Sequence, residues 1–165
     1  MGAALLALGG ALAGLGAAEQ LKRNSRTLWE LETGLGLLEQ ELQLGGLTLE
    51  QLMEELAPRS PGESGRLFAD CGAALSRRDR PAFPVLWEKL IGEREGWPPA
   101  CRETLGSLGQ TLGRCDSPEQ RQAIRQVRER LEALRRTAEE ERRSRGRLFQ
   151  TVGLTGGAFL AVLLL

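Results

Sequence analysis

The sequence predicts an all-α protein, a helical bundle of about six helices between two terminal transmembrane helices. Two observations carry that expectation. The apolar residues, 41% of the 165-residue chain, are mostly leucine and alanine, which favour helix. Isoleucine, valine and aromatic residues, which strands prefer, are scarce. The charge is also unevenly spread. It is confined to residues 19–147, and both ends are uncharged and apolar.

The first segment, residues 2–18, contains only Gly, Ala and Leu. A spanning helix needs roughly 20 apolar residues, with about 17 as the lower limit. A cleaved signal peptide would carry basic residues before its apolar stretch. Here Lys22, Arg23 and Arg26 follow it, the order expected of a retained anchor. The second segment, 148–165, is preceded by Arg142, Arg143, Arg145 and Arg147. Positive flanks stay cytoplasmic, so both anchors place residues 19–147 on the cytoplasmic side and the chain ends outside. The expected organisation is an N-terminal anchor over 1–18, a helical bundle over 19–147 and a C-terminal transmembrane helix over 148–165. Gly10-x-x-x-Gly14 and Gly153-x-x-x-Gly157 have the spacing of close helix contacts.

Within the interior, Leu28, Leu31, Leu35, Leu38 and Leu42 step by three and four, one stripe of a helix. Gly34 and Gly36 interrupt that stripe and suit the approach of a neighbouring helix. Gly45-Gly46 ends it. Thr48 with Gln51 reads as a capping box for a second helix, with Leu49, Leu52, Met53 and Leu56 on its apolar face. Residues 58–64 (PRSPGES) read as a loop, and residues 65–77 as a third helix with Leu67, Phe68, Cys71 and Leu75 inward. A fourth helix is expected after an Asp79 cap, with Pro81 and Pro84 early and Phe83, Leu86, Trp87, Leu90 and Ile91 facing the core. GWPP at 96–99 is the next break. A fifth helix is expected over 99–112 and carries Cys101, Leu105, Leu108 and Leu112. Ser117-Pro118-Glu119-Gln120 opens the last helix, which runs without a breaker to Arg145 and carries Ile124, Val127, Leu131, Leu134 and Ala138.

The chain has no histidine and no tyrosine. Imidazole catalysis, Ser-His-Asp or Cys-His nucleophiles and imidazole metal sites are therefore excluded. Formal net charge is zero, and seven aromatic residues offer no stacking platform, so no nucleic-acid partner is expected. Cys71, Cys101 and Cys115 form no CxxC and read as core filler. The Glu139-Glu140-Glu141 run before arginines reads as a solvated face. No phosphate-binding G-x-x-x-x-G-K-[ST] occurs. No catalytic residue, metal, cofactor or small-molecule substrate is assigned. Partner contact is the expected activity, and Trp29, Trp97, Arg128, Arg135 and Arg136 are the candidate contact residues, because Trp and Arg are enriched at interfaces. Gly109, Leu112, Gly113 and Asp116 form a candidate structural turn. In it Gly109 lets a neighbour approach, Gly113 takes the left-handed conformation and Asp116 supports the following turn.

Three stretches resemble a known family: Arg26-Thr27-Leu28-Trp29-Glu30-Leu31 with the leucine helix beyond it to Glu39 and Leu42, Leu108-Gly109-Gln110-Thr111-Leu112-Gly113-Arg114-Cys115-Asp116, and the closing residues 153–165 (GLTGGAFLAVLLL). In these, and in the order of its parts, the chain resembles the stage III sporulation protein AB family. The Ala/Gly-only first segment and the PRSPGES and GWPP breaks depart from that pattern. The resemblance implies a membrane protein of endospore formers that acts during engulfment and joins a secretion-like channel between mother cell and forespore. It implies a helical domain similar to that of type II secretion F-type platform proteins, and as partners a secretion-type ATPase and other channel membrane proteins. The competing expectation is a membrane-tethered coiled coil unrelated to sporulation. It would form a homo-oligomer along Ile124, Leu131 and Leu134.

Overall fold

The computed structural model describes the backbone of residues 2–112 and 117–163, and the side chains within 19–112 and 118–144. Every described element is a helix: α1 Gly2–Leu44, α2 Leu49–Arg59, α3 Gly62–Leu75, α4 Phe83–Gly92, α5 Pro99–Gly106, α6 Leu108–Leu112 and α7 Ser117–Leu163. The chain divides into two compact units, one of Met1–Arg23 with Arg136–Leu165, the other of Asn24–Arg135. The expected spans over 1–18 and 148–165 lie outside the residues whose side chains are described. Among the described residues no helix is long and apolar enough to cross a membrane.

Asn24–Arg135 holds the core. On α1 the stripe Leu28, Leu31, Leu35 and Leu38 is buried, with Leu42 half-buried beyond it. The three-and-four spacing keeps these residues on one face of the helix. Gly34 lies where α3 crosses: a Cβ there would stand 2.6 Å from Ser64 Oγ and closer still to Ser64 Cβ. Two glycines in the left-handed region, Gly45 (φ 69°) and Gly46 (φ 90°), turn the chain out of α1.

Thr48 caps α2 as its sequence predicts. Its Oγ1 accepts the Gln51 N–H at 3.3 Å, and the Gln51 carboxamide oxygen accepts the Thr48 N–H at 3.0 Å. Thr48→Ala is expected to destabilise the unit by about 1 kcal/mol, read as a lower urea midpoint. A Thr48→Ser chain matching the unaltered one would locate the loss in the hydroxyl.

The expected loop over 58–64 is shorter than its two prolines and glycine suggest. Pro58 is accommodated inside the last turn of α2, which runs to Arg59, and α3 already starts at Gly62. The third helix is therefore displaced toward the N-terminus from its expected 65–77. The reason is a distant cap. No side chain next to α3 caps it. Instead Glu30 of α1 accepts the Glu63 N–H at 2.9 Å, a carboxylate placed where the positive end of a helix favours one. Gly62 (φ +44°) makes this contact feasible, because any side chain there would collide with the Glu30 carboxylate. α3 packs back along α2. Gly65 fits against the Ala57 and Ser60 carbonyls, and Gly72 fits against Met53 and Glu54.

Asp79 does not cap the fourth helix. It pairs with Arg77 at 3.5 Å, and α4 begins later, at Phe83 after Ala82, with Pro84 in its first turn. Arg80 Nη1 donates to the Leu75 carbonyl at 2.8 Å and so closes the end of α3. The expected single helix over 99–112 is two helices that meet at Ser107. Trp87 accounts for the break. Its indole Nε1 donates to the Leu105 carbonyl at 2.8 Å, an acceptor that an unbroken helix would direct to the Gly109 N–H. Of α7, Ile124, Val127 and Leu131 complete the core, with Leu134 packed at its edge. The expected cap at Ser117 lies outside the residues whose side chains are described. Gln120 Nε2 reaches across to the Leu112 carbonyl at 3.1 Å.

Candidate functional site

The arginines expected on an exposed ridge of α7 are largely committed within the chain. Arg128 Nη1 donates to Glu39 Oε2 at 2.7 Å, and Arg125 Nη2 donates to Glu39 Oε1 at 3.2 Å. Arg135 Nε donates to Glu32 Oε2 at 3.3 Å. Arg128 also lies across Gly36, where a Cβ would touch its guanidinium at 3.4 Å. Gly36 thus admits a side chain of α7, while Gly34 admits a helix. Arg128 and Arg135 thus clamp α7 to α1. The heptad-like steps of α7 placed its apolar face, but the partners lie 86 to 103 residues away in sequence, beyond any local pattern. Arg136 is exposed and belongs to the other unit.

Glu39 is buried at the centre of this clamp. Burial alone would push its carboxyl up. The hydrogen bonds and positive charges of Arg128 and Arg125 outweigh that and hold it below the ordinary value of 4.5. A carboxyl lowered in the folded state adds stability above the unfolded value, and that stability is lost as pH falls through the folded value. The stability gap between the unaltered chain and Glu39→Gln is therefore expected to be constant above about pH 6 and to shrink as pH falls below 4.5. Urea titrations across that window read it, and a gap that widens in acid would refute the clamp.

Trp97 is also engaged within the chain. It is buried, its indole Nε1 donates to Glu63 Oε2 at 2.9 Å, and the Arg94 guanidinium stands 5.8 Å from its ring centroid. Arg94 in turn pairs with Asp70. GWPP is thus a strap that holds the α4–α5 connection to α3, and Trp97 is its anchor. Trp29 stands apart, half exposed on α1. Gly109 and Leu112 are buried, and a Cβ on Gly109 would lie 2.9 Å from Trp87 Cδ1. Gly113 and Asp116 lie outside the described residues.

Cys71 and Cys101 are buried and free. Burial pushes both thiols up to about 12, with the Asp70 charge adding to the effect at Cys71. Such thiols are poor nucleophiles. Cys115 lies outside the described residues. Among the described residues no cluster of three or more Cys, Asp and Glu could hold a metal ion. Sequence reading missed the relay from Arg26 through Glu30 to Glu63, and an open groove lined by Leu49, Leu75, Phe83 and Leu112. Its lining comes from four different helices, which no periodic pattern connects.

A family model described as Stage III sporulation protein AB (spore_III_AB) matches residues 1–165. A solved structure named "Stage III sporulation protein AB (SpoIIIAB)" superposes with a TM-score of 0.65 at 23% identity. The match covers 73% of this chain and 97% of that one, a likeness of fold. A search of curated proteins gave no match.

Proposed function

The chain belongs to the stage III sporulation protein AB family and its role is in sporulation, and from that premise we propose that it is a non-catalytic membrane platform subunit. In this reading it sits in the channel between mother cell and forespore and couples a secretion-type ATPase to the other channel membrane proteins. The observation that carries the proposal is the family match over residues 1–165, which takes in both apolar ends. The mechanism is binding. α1 and α7 each run as one helix from an apolar terminal segment into the Asn24–Arg135 bundle. The basic residues Lys22, Arg23 and Arg26, and Arg142, Arg143, Arg145 and Arg147 favour a bundle facing the mother-cell cytoplasm.

The coiled-coil alternative would need Ile124 and Leu131 available to a second chain. Both are fully buried in the chain's own core, which favours the platform reading. Deletion of the gene in its sporulating host is expected to lower heat-resistant spore counts by orders of magnitude. Affinity purification of the detergent-solubilised chain from sporulating cells is expected to bring down a secretion-type ATPase. Normal spore counts would end the proposal, and a spore defect with no ATPase recovered would end its coupling part.

A further inference from the structure

The zero net charge of the chain conceals a division between its two units. Met1–Arg23 with Arg136–Leu165 carries seven basic and four acidic residues, whereas Asn24–Arg135 carries fifteen and eighteen. The two sets of cations are also used differently. In Asn24–Arg135 at least nine basic side chains pair with carboxylates of the chain. Lys22 and Arg23 on α1, and Arg142 and Arg143 on α7, are exposed and make no ion pair among the described residues. Four cations that take no part in holding the fold are available to an anion from outside it.

Their distance from the apolar ends says what kind of anion. A helix rises about 1.5 Å per residue. Along α1, Lys22 and Arg23 therefore stand about 6–8 Å past residue 18, where the uncharged N-terminal segment ends. Along α7, Arg142 and Arg143 stand about 8–9 Å before residue 148, with Arg145 and Arg147 between. The headgroup layer on each side of a bilayer is about 5–8 Å deep. Glu19 is the one acidic residue in these two stretches, and Glu139, Glu140 and Glu141 begin about 10 Å from residue 148. Charge along α7 thus runs from basic beside the apolar segment to acidic beyond it, the order that suits a negative surface.

We propose that Lys22 and Arg23 on α1 and Arg142 and Arg143 on α7 bind the headgroups of anionic phospholipids. A guanidinium takes two phosphate oxygens at once, and an ammonium takes them as a point charge. A choline lipid offers the same phosphate but carries its own cation beside it, so it gains little from a protein cation. Basic clusters directly cytoplasmic of a span gather anionic lipid for this reason. The inference rests on the platform reading for the membrane and adds which lipids surround the protein there.

The test begins with flotation of the full chain, synthesised cell-free beside phosphatidylcholine vesicles, which are expected to carry it up the gradient. The detergent-solubilised chain is then offered an equal mixture of phosphatidylglycerol and phosphatidylcholine, and native mass spectrometry counts the lipids it retains. Phosphatidylglycerol is expected to be favoured at least about tenfold, and the preference should fall as salt is raised. Lys22→Gln, Arg23→Gln, Arg142→Gln and Arg143→Gln together should lower it severalfold, with the circular dichroism spectrum and the flotation unaltered. Equal retention of the two lipids, or a preference that the fourfold variant keeps in full, overturns the proposal. So does displacement of phosphatidylglycerol by millimolar inorganic phosphate, which would mark a site for a free anion. The two readings fall separately. A chain left at the bottom of the gradient ends the membrane part of the platform reading. A chain that floats but holds both lipids equally ends the lipid inference alone.

Discussion

Trp87→Ala is expected to lower the unfolding free energy of the Asn24–Arg135 unit by about 3–5 kcal/mol. Trp87 is fully buried, stacks on Phe83 with ring centroids 5.8 Å apart, and donates its indole N–H to the Leu105 carbonyl. The substitution leaves a cavity among α4, α5 and α6 and orphans that carbonyl. Trp87→Phe separates the two effects. It keeps much of the volume but loses the bond, at a cost of about 1–3 kcal/mol. Urea unfolding followed by far-ultraviolet circular dichroism measures both. If alanine costs less than phenylalanine, or both cost nothing, Trp87 is not the centre of this packing. Gly109 supplies an internal check, because its hydrogen faces the indole ring. Gly109→Ala should destabilise the unaltered chain and be tolerated in the Trp87→Ala background, a coupling that a double-mutant cycle reads directly.

The second large effect concerns Gly34, where propensity and packing oppose each other. In an exposed helix Gly→Ala stabilises by about 1 kcal/mol. At Gly34 the new methyl would press into Ser64, a residue almost wholly buried on α3. Ser64 Cβ is attached directly to the α3 backbone, so relief requires the helices to separate. Overpacking of this kind costs about 1–3 kcal/mol, so Gly34→Ala is expected to destabilise on balance. Ser64→Gly in the same chain should recover most of the loss, whereas Ser64→Gly combined with Gly36→Ala should recover nothing. A stabilised Gly34→Ala chain would show that α1 and α3 do not meet here as described.

Most of the helical architecture is legible in local pattern. The leucine stripe of α1, the Gly45–Gly46 exit, the Thr48 capping box and the start of α7 at Ser117 all follow from residues within four positions of one another. Two of the misplaced boundaries share one cause. α3 begins early because Glu30 caps it from 33 residues away, and the helix over 99–112 divides where the Trp87 indole takes the Leu105 carbonyl. The bonds of the candidate contact residues were hidden for the same reason. Trp97, Arg128 and Arg135 have the composition of interface residues, but Glu63, Glu39 and Glu32 claim them from other helices.

Leucine periodicity and turn chemistry therefore determined by themselves that this chain is helical, where most of its helices start and stop, and which faces they bury. Those signals act between near neighbours, through the 3.6-residue turn and the φ angles that glycine and proline allow. Which polar groups remain available to a partner was decided only by the tertiary structure. A buried carboxylate or indole bonds whichever donor or acceptor the packed helices bring within reach, and that distance is unrelated to separation along the chain.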